Sequence, residues 1–318
     1  MTGSDLLLAA GLDVWLGDPR WLPHPVRGMG RVITWCDERV RLMCRGAYSL
    51  RLAGVCLAVG LPVLAYAIGA FVIDLAGAVS ILLGKIVAIG LAFMTLAGRD
   101  LVEHVRAVSQ ALGGGNLVGA RQAVSMIVGR DTETLSEPEV VRATVETIAE
   151  SISDGVIAPL VYLAMGGPPL ALAYKAINTL DSMIGHRDAR YADFGWASAR
   201  LDDVANWIPA RLTAGLIVLA AGMITGQWSR AKRSWQTLRR DGHKHSSPNS
   251  GRPEAAMAGA LGIQLGGINF YDGLPHERSR IGDGVRSPML ADIDLAIRIA
   301  VITGGLGIFL AVGSLWVT

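Results

Sequence analysis

The chain has few charged residues and few cysteines, and several common ligand-binding motifs are missing from it. Only 18% of its 318 residues are charged, whereas 51% are apolar and the mean hydropathy is +0.41, a balance that argues against a water-soluble globular protein. Three cysteines without a CxxC pair argue against a disulfide framework and against a zinc site. The sequence also contains no Walker A loop, no GxGxxG motif and no βαβ pattern. Any nucleotide must therefore bind without the common glycine-rich phosphate loops.

The apolar residues are concentrated in long runs. A helix that crosses the hydrocarbon of a bilayer needs about 20 residues, and five segments approach or exceed that length: 52–73, 76–97, 156–177, 208–226 and 295–317. We therefore predict an all-α, polytopic integral membrane protein with about four to five spans and helical cytoplasmic loops. We also predict that residues 1–318 form a single membrane-embedded domain.

Basic residues lie on both sides of the first four apolar segments. One set follows residue 226 in "WSRAKRSWQTLRRDGHKH", which has six basic residues and one acid, and the other precedes residue 52 and comprises Arg31, Arg39, Arg41, Arg45 and Arg51. Because positively charged loops remain in the cytoplasm, an even number of crossings is expected between the two sets. The "GGPP" at 166–169 favours a broken or re-entrant helix, so it stays open whether 156–177 and 208–226 cross fully.

Helical spacing continues outside the apolar runs. "RDLVEHVRAVSQAL" predicts a helix that ends at "GGGN", and a second helix is expected over 117–128. Ser136 has capping-box spacing to the glutamate three residues on, which predicts a helix from there to about residue 153. Five charged residues share one face of that helix: Glu139, Arg142, Glu146, Glu150 and Asp154. They form either a solvated face with an Arg142–Glu146 pair or a metal or substrate site at the membrane surface.

Polar residues also recur at helical steps in "YKAINTLDSMIG", directly after an apolar run. Polar groups at such a position are energetically unfavourable unless they are paired or functional. The residues concerned are Lys175, Asn178, Asp181 and Ser182. A snorkelling lysine and an aspartate helix cap would explain two of them. Asn178 has no such structural explanation, and we favour a functional role for Asn178 and Asp181.

The stretch "SARLDDVANWIPAR" places carboxylates at the edge of another apolar segment. Asp202, Asp203 and Asn206 supply hard oxygen ligands of the kind that Mg²⁺ binds together with substrate phosphates. Arg200 and Arg211 add positive charge that suits phosphate. Polar anchoring at the interface, with the neighbouring tryptophan in the aromatic belt, is an equally good interpretation of this stretch.

A small-residue segment follows the basic loop. Two histidines there, His243 and His245, lie in a lysine-containing turn and are interpreted as solvated rather than metal-bound. Asn249 and Glu254 come next, at the start of a Gly/Ala-rich stretch that is expected to pack tightly against other helices.

Six motifs, in order, carry a resemblance to a known family. They are "LDVWLGDPRWLPHPVRGMG", "GRDT", "VETIAESISDGVIAPL", "AYKAINTLDSMIG", "SARLDDVANWIPAR" and "HSSPNSGRPEAAMAGALGIQLGG". From about residue 13 to 284 the chain resembles the adenosylcobinamide-phosphate synthase family, the CobD/CbiB type. One departure is "ESISDG" where the family commonly has "ENTVDG", so no ligand role is assigned to Ser151.

The resemblance implies a multi-pass enzyme of the cell inner membrane with a cytoplasmic active site. It would join a carboxylate of adenosylcobyric acid to (R)-1-amino-2-propanol O-phosphate, with ATP as co-substrate and Mg²⁺ as cofactor, in the late cobalamin pathway. The expected partners are the corrinoid, the aminoalcohol phosphate and the lipid bilayer, with no nucleic acid. A partnership with other late-pathway enzymes and the use of an ethanolamine phosphate analogue stay open.

That activity suggests roles for the polar residues, which we expect to gather in one pocket at the lipid boundary. Metal binding is assigned to Asp181, Asp202, Asp203 and Asn206. Phosphate or cofactor binding is assigned to Arg130, Asn178, Arg200, Arg211 and Asn249. Catalytic roles, as the base that frees the attacking amine or as a phosphate contact, are assigned to Glu146, Glu150, Asp154 and Lys175. The metal and base roles are interchangeable on the sequence alone.

Two other classes of protein fit parts of the pattern. A membrane prenyl- or phospho-transferase would also bind Mg²⁺–diphosphate at membrane-facing carboxylates, but "DDVAN" is an imperfect aspartate box and "NTLDS" lacks a second pair. A transporter would use Lys85 and the "GGPP" break as midplane features, although no persuasive internal repeat supports it.

Overall fold

The computed structural model describes residues 1–19, 21–44, 46–186, 188, 190–226 and 228–317. Arg45, from the first basic set, lies outside the described residues. In chain order the helices are α1 Gly3–Leu16, α2 Pro25–Met43, α3 Ala47–Val79, α4 Ile81–Phe93, α5 Gly98–Gly113, α6 Leu117–Ser125, α7 Glu137–Ile152, α8 Ala158–Ile184, α9 Trp196–Ala205, α10 Trp207–Thr225, α11 Trp228–Asp241, α12 Gly251–Leu261 and α13 Leu290–Val317. A π-helical turn, Ser153–Ile157, joins α7 to α8, and two strands, β1 Leu265–Tyr271 and β2 Leu274–Ile281, precede α13.

The fold is that of a polytopic, all-α membrane protein, as predicted. Among the residues that the structure describes, five helical stretches are long and apolar enough to cross a bilayer: Ala47–Val79, Ile81–Gly113, Glu137–Ile184, Trp207–Ile224 and Leu290–Trp316. The capping box at Ser136 is also confirmed, since its backbone N–H donates to Glu139 Oε2 at 2.7 Å. The helices predicted on either side of "GGGN" are present as α5 and α6.

The boundary between the first two apolar segments differs from the prediction. The segment 76–97 was expected to be one helix. Residues 76–79 instead form the end of α3, and helical geometry is interrupted at Ser80 before α4 begins. The hydroxyl of Ser80 accepts a hydrogen bond from Leu83 N at 3.1 Å and so caps α4. A single capping serine within an apolar run is a weak sequence signal, which explains the misplaced boundary.

The "GGPP" element is a helical hairpin, which confirms the predicted break. Gly166 and Gly167 leave helical geometry, with Gly167 at φ 69° and ψ −166°. The rings of Tyr162 and Tyr174 stack at 4.8 Å between centroids. In a continuous helix those residues would be about 18 Å apart along the axis, because each residue rises about 1.5 Å. The chain therefore reverses at the two glycines, and α8 consists of two arms, 158–165 and 168–184.

The strand pair was not predicted. β1 and β2 are antiparallel, with Leu265 opposite Ile281 and Tyr271 opposite Leu274. Between them, Asp272 and Gly273 have φ of 51° and 76°, the left-handed values of a tight hairpin turn. The "DG" dipeptide at this turn was the sequence signal for the hairpin.

The chain divides into two compact units. Unit 1 comprises Met1–Ala97, Ala158–Asn206 and Ile308–Thr318, and unit 2 comprises Gly98–Ile157 and Trp207–Gly307. The single membrane-embedded domain stays a prediction, since compact units of this kind can belong to one domain. The core of unit 1 is formed by α2, α3 and the second arm of α8, together with Phe194 from the turn before α9. Its other members are Met29, Ile33, Leu61, Ala65, Leu172, Ala176, Leu180 and Ile184.

Unit 2 is built around α12, which is buried along nearly its whole length. Its alanines and glycines let α10 and α11 approach closely, as predicted from its composition. The hydroxyl of Ser234 on α11 donates to the carbonyl of Ala256 at 2.7 Å. A methyl group added at Gly259 would lie 2.7 Å from the side chain of Thr237, so this contact requires glycine.

Candidate functional site

In unit 1, α8 and α9 bring together five of the residues singled out in the sequence. We call them the acid–amide cluster: Asn178, Asp181, Asp202, Asp203 and Asn206. Asn178 and Asp181 lie on the second arm of α8, and Asp202 and Asp203 lie on α9, which packs against it. Helical spacing placed each pair correctly, while the contact between the helices is a tertiary feature.

Asp202 is the centre of the acid–amide cluster. Its Oδ1 accepts a hydrogen bond from Asn206 Nδ2 at 2.9 Å, and Asn178 also hydrogen-bonds its side chain. Burial, followed by the nearby carboxylate of Asp181, raises the pKa of Asp202 to about 7 despite these hydrogen bonds. The site therefore favours either a proton on Asp202 or an added positive charge beside it.

Asn206 is held from its other side. Its Oδ1 accepts a hydrogen bond from the hydroxyl of Tyr174 at 2.9 Å, and the residue is 1% exposed. The amide thus orients Asp202 while its own oxygen is engaged. Tyr162, which stacks on Tyr174, donates instead to the backbone carbonyl of Ala205 at 2.9 Å.

The other two carboxylates have different surroundings. Asp203 is 3.7 Å from a guanidinium nitrogen of Arg200, whose side chain is 65% exposed. Asp181 Oδ1 lies so close to Gly185 that a methyl group there would be 2.0 Å from it. Glycine at 185 therefore leaves the room that this carboxylate occupies.

The acid–amide cluster fits Mg²⁺ held partly by other ligands. Within the described parts of the chain, no group of three or more His, Cys, Asp or Glu side chains is arranged to hold a metal. Mg²⁺ commonly binds to one or two carboxylates and completes its shell with water and substrate phosphates. The Asp181–Asp202 pair, whose repulsion raises the pKa of Asp202, has the donor set for that mode.

Lys175, on the same arm of α8, lies within electrostatic range of His24. Burial lowers the pKa of His24 although Asp18 is nearby. His24 Nδ1 accepts a hydrogen bond from Val26 N at 3.3 Å and caps α2. The histidine therefore has a structural role at the start of α2.

In unit 2, a second set of charged residues lines a small polar cavity. We call it the arginine–glutamate cluster: Arg130, Glu146, Glu150, Glu254 and Arg278. The cavity has a volume of about 110 Å³ and is also lined by Thr147 and Tyr271. The cluster is assembled from the loop before α7, from α7 and α12, and from β2.

Arg130 and Glu146 form a buried ion pair at 2.8 Å, with side chains 5% and 7% exposed. The second oxygen of Glu146 accepts from Gly266 N at 2.8 Å, so both of its oxygens are engaged. Arg130 also donates to Asn269 Oδ1. Arg142 donates to the same oxygen at 3.0 Å rather than forming the solvated pair with Glu146 considered above.

Glu254 lies deeper, at 3% exposure. Burial, then the carboxylates of Glu146 and Glu150, raises the pKa of Glu254 well above its ordinary value. The raised pKa favours the protonated form of this side chain, which can donate a hydrogen bond. Arg278 donates to the hydroxyl of Tyr271 at 3.1 Å and stays charged.

Of the remaining predicted residues of unit 2 that the structure describes, Glu150 lines the cavity and the others do not. Glu150 lines the cavity, is exposed, and accepts from the Ser250 hydroxyl at 3.1 Å. Asp154 lies in the π-helical turn and is not among the cavity-lining residues. Asn249 is buried just before α12. Arg211 stacks on Trp207, with 4.0 Å between its guanidinium carbon and the ring centroid.

Three residues in or beside the arginine–glutamate cluster were not predicted from the sequence. Asn269, Tyr271 and Arg278 reach it because the hairpin folds β1 and β2 beside α7 and α12. The "DG" turn was available as a signal for the hairpin, but its packing partners were not. The buried acid Glu254 was noted in the sequence without a role.

The fold defines a class of protein: a multi-pass membrane protein, here with two clusters of charged and polar side chains. The family model described as CobD/Cbib protein matches residues 6–300, and the chain belongs to this family. Several relatives of the chain are named cobalamin biosynthesis protein CobD. The one from Geobacter metallireducens is 51% identical over 89% of this chain and 87% of its own length.

Two further relatives have the same name. The protein from Halalkalibacterium halodurans is 45% identical over 91% of this chain and 88% of its own length. The protein from Klebsiella pneumoniae is 45% identical over 95% and 94%. No solved structure matches the chain. The chain is thus a member of a family of cobalamin biosynthesis proteins.

Proposed function

We propose that the protein is an adenosylcobinamide-phosphate synthase. It uses ATP to join a carboxylate of adenosylcobyric acid to the amine of (R)-1-amino-2-propanol O-phosphate, and it acts at the cytoplasmic face of the cell inner membrane. The observation that carries the proposal is family membership over residues 6–300, combined with two buried charged clusters in one chain.

Formation of an amide from a carboxylate requires activation of the acid. A carboxylate oxygen of the corrinoid attacks the γ-phosphorus of ATP, and the bond to ADP breaks, which gives an acyl phosphate. The ammonium group of the second substrate first loses a proton to a base. The free amine nitrogen then attacks the acyl carbon, the carbon–oxygen bond to phosphate breaks, and the departing phosphate takes the second proton from the nitrogen. The products are the amide, ADP and phosphate.

The acid–amide cluster suits the phosphoryl half of this reaction. Mg²⁺ bound there would neutralise charge on the transferring phosphoryl group. Asp181 and Asp202 would hold it, and Asn206 keeps Asp202 oriented through the 2.9 Å hydrogen bond. Lys175, on the same arm of α8, is the candidate for a direct phosphate contact.

The arginine–glutamate cluster suits the amine half. Glu150 is the exposed carboxylate of the cavity and is the best candidate for the base, since both oxygens of Glu146 are already hydrogen-bonded. Arg130 and Arg278 supply the positive charge that phosphate requires.

The test is turnover by the full chain in lipid nanodiscs. Product amide and ADP are measured with adenosylcobyric acid, the aminoalcohol phosphate and Mg–ATP together, and with each omitted in turn. We expect both products only when all components are present. ATP hydrolysis without amide, or transfer of a prenyl or phosphate group to another acceptor, would replace this proposal with a transferase, and uptake of the corrinoid into vesicles without chemistry would replace it with a transporter.

A further inference from the structure

The cavity of the arginine–glutamate cluster has a charge pattern that a simple anion site would not have. Two arginines and three glutamates line it. The buried Arg130–Glu146 pair is internally neutral. Burial and the neighbouring glutamates raise the pKa of Glu254, which favours its uncharged form. Arg278 and Glu150 therefore remain as one positive and one negative charge.

Arg130, which lines the same cavity, has one buried donor without an acceptor among the described residues. The Nε of Arg130 has no hydrogen-bond partner in the part of the chain that the structure describes, although the side chain is only 5% exposed. Burying a donor without an acceptor is unfavourable. The carboxyl of Glu254 also lines the cavity, and its raised pKa favours the form that can donate a hydrogen bond.

Size and charge restrict the ligand. A volume of about 110 Å³ is far too small for a corrinoid ring. The carboxylates that line the cavity would repel the triphosphate of ATP. A small molecule with one phosphate and one ammonium group instead matches the charges of Arg278 and Glu150.

We propose that this cavity is the binding site for the zwitterionic aminoalcohol phosphate, with its phosphate on Arg278 and Arg130 and its ammonium on Glu150. This inference rests on the proposed ligation and adds to it the site and the charge selectivity for one substrate. Discrimination follows because a ligand that lacks either group leaves a charged side chain unmatched.

The test is calorimetric titration of the full chain in nanodiscs with three probes: (R)-1-amino-2-propanol O-phosphate, propyl phosphate and 1-amino-2-propanol. Each is titrated alone and with Mg²⁺ and a non-hydrolysable ATP analogue. We expect the zwitterion to bind most tightly. Arg278→Gln should weaken the binding of the zwitterion and of propyl phosphate by roughly 10- to 100-fold.

Glu150→Gln provides the decisive contrast. This variant should weaken the binding of the zwitterion by a similar factor. The affinity for propyl phosphate should be unchanged or higher, because a repelling carboxylate has been removed. Arg280→Gln and Glu137→Gln are matched controls at exposed positions outside the cavity and should change neither affinity. No zwitterion binding by the wild-type chain, or equal responses of both phosphates to Glu150→Gln, would overturn the inference.

Turnover on the same preparations separates this inference from the proposed function. Amide formation with unaltered binding in both variants would refute the site and leave the ligase intact. Charge-selective binding without any amide product would refute the ligase and leave the site. Thermal unfolding of each variant verifies that the fold is retained.

Discussion

The two clusters hold buried carboxylates in opposite ways. In the arginine–glutamate cluster, Glu146 is matched by Arg130 at 2.8 Å and by a backbone N–H. In the acid–amide cluster, Asp202 has a second carboxylate, Asp181, beside it and receives hydrogen bonds from neutral amides. Glu146 is thus fully matched by groups of the protein itself, whereas Asp202 gains from an added proton or cation. Loss of a charge should therefore destabilise one cluster and relax the other.

The largest effect on stability is expected for Arg130→Met. The substitution leaves Glu146 buried without its cation, and breaking a buried pair in this way costs about 3–5 kcal/mol. The free energy of unfolding, measured by titration with denaturing detergent, should fall by that amount.

Arg99→Gln is the control for this loss. The Arg99–Glu103 pair also lies in unit 2, but its side chains are 38% and 55% exposed. Exposed pairs contribute less than about 1 kcal/mol. Equal losses for both variants would show that burial does not set the strength of the Arg130–Glu146 pair.

Asp202→Asn should have the opposite profile. The variant removes the repulsion from Asp181, so the free energy of unfolding in the absence of Mg²⁺ should not decrease. Amide formation should nevertheless fall by about 100-fold or more, because a proposed cation ligand is lost. Asp203→Asn should lose less, since Asp203 is already paired with an exposed arginine. Wild-type turnover by Asp202→Asn would remove this residue from the mechanism.

The pH dependence of stability sharpens the contrast further. Because the folded-state pKa of Asp202 is raised to about 7, the unfolded chain releases this proton at lower pH than the folded chain does. The contribution of Asp202 to stability is therefore present at low pH and is lost as the pH rises from the ordinary aspartate range to about 7. Mg²⁺ favours the ionised carboxylate, so it should raise the unfolding temperature more at pH 8 than at pH 5.

Asp202→Asn is again the comparison. Its unfolding temperature should respond less to pH between 5 and 8, and Mg²⁺ should raise it little at either pH. If Mg²⁺ raises the unfolding temperature of the wild-type chain equally at both pH values, the proposed coupling between proton and cation binding is contradicted.

The sequence predicted those features that depend on local spacing. The hydropathy runs predicted the membrane helices, the Ser136 capping box predicted the start of α7, and "GGPP" predicted the break within α8. The same kind of spacing placed Asn178 with Asp181 and Asp202 with Asn206.

Local sequence patterns did not predict the contacts between segments that are distant in the chain. Nothing in the sequence indicated that Glu146 would pair with Arg130 rather than with Arg142, because the choice depends on how the loop before α7 folds. The hydrogen bond from Tyr174 to Asn206 joins residues 32 positions apart. Such contacts exist only once the α8 hairpin and α9 have packed.

That hydrogen bond allows the smallest and most selective prediction. Tyr174→Phe removes the hydroxyl that holds Asn206, and the amide then orients Asp202 less well. A hydrogen bond of this kind contributes about 0.5–1.5 kcal/mol, so kcat should fall by about 3- to 10-fold. Because the Asn206 hydrogen bond lowers the pKa of Asp202, its weakening should shift the acid limb of the pH–rate profile to higher pH.

Tyr162→Phe separates positioning from packing. It deletes the same atom from the partner in the stacked pair, but its hydroxyl donates to the carbonyl of Ala205 and not to Asn206. Both variants should lose a similar amount of stability, whereas only Tyr174→Phe should move the acid limb. If the two pH–rate profiles shift together, the stack acts on Asp202 through general packing and the chain from Tyr174 through Asn206 has no separate role.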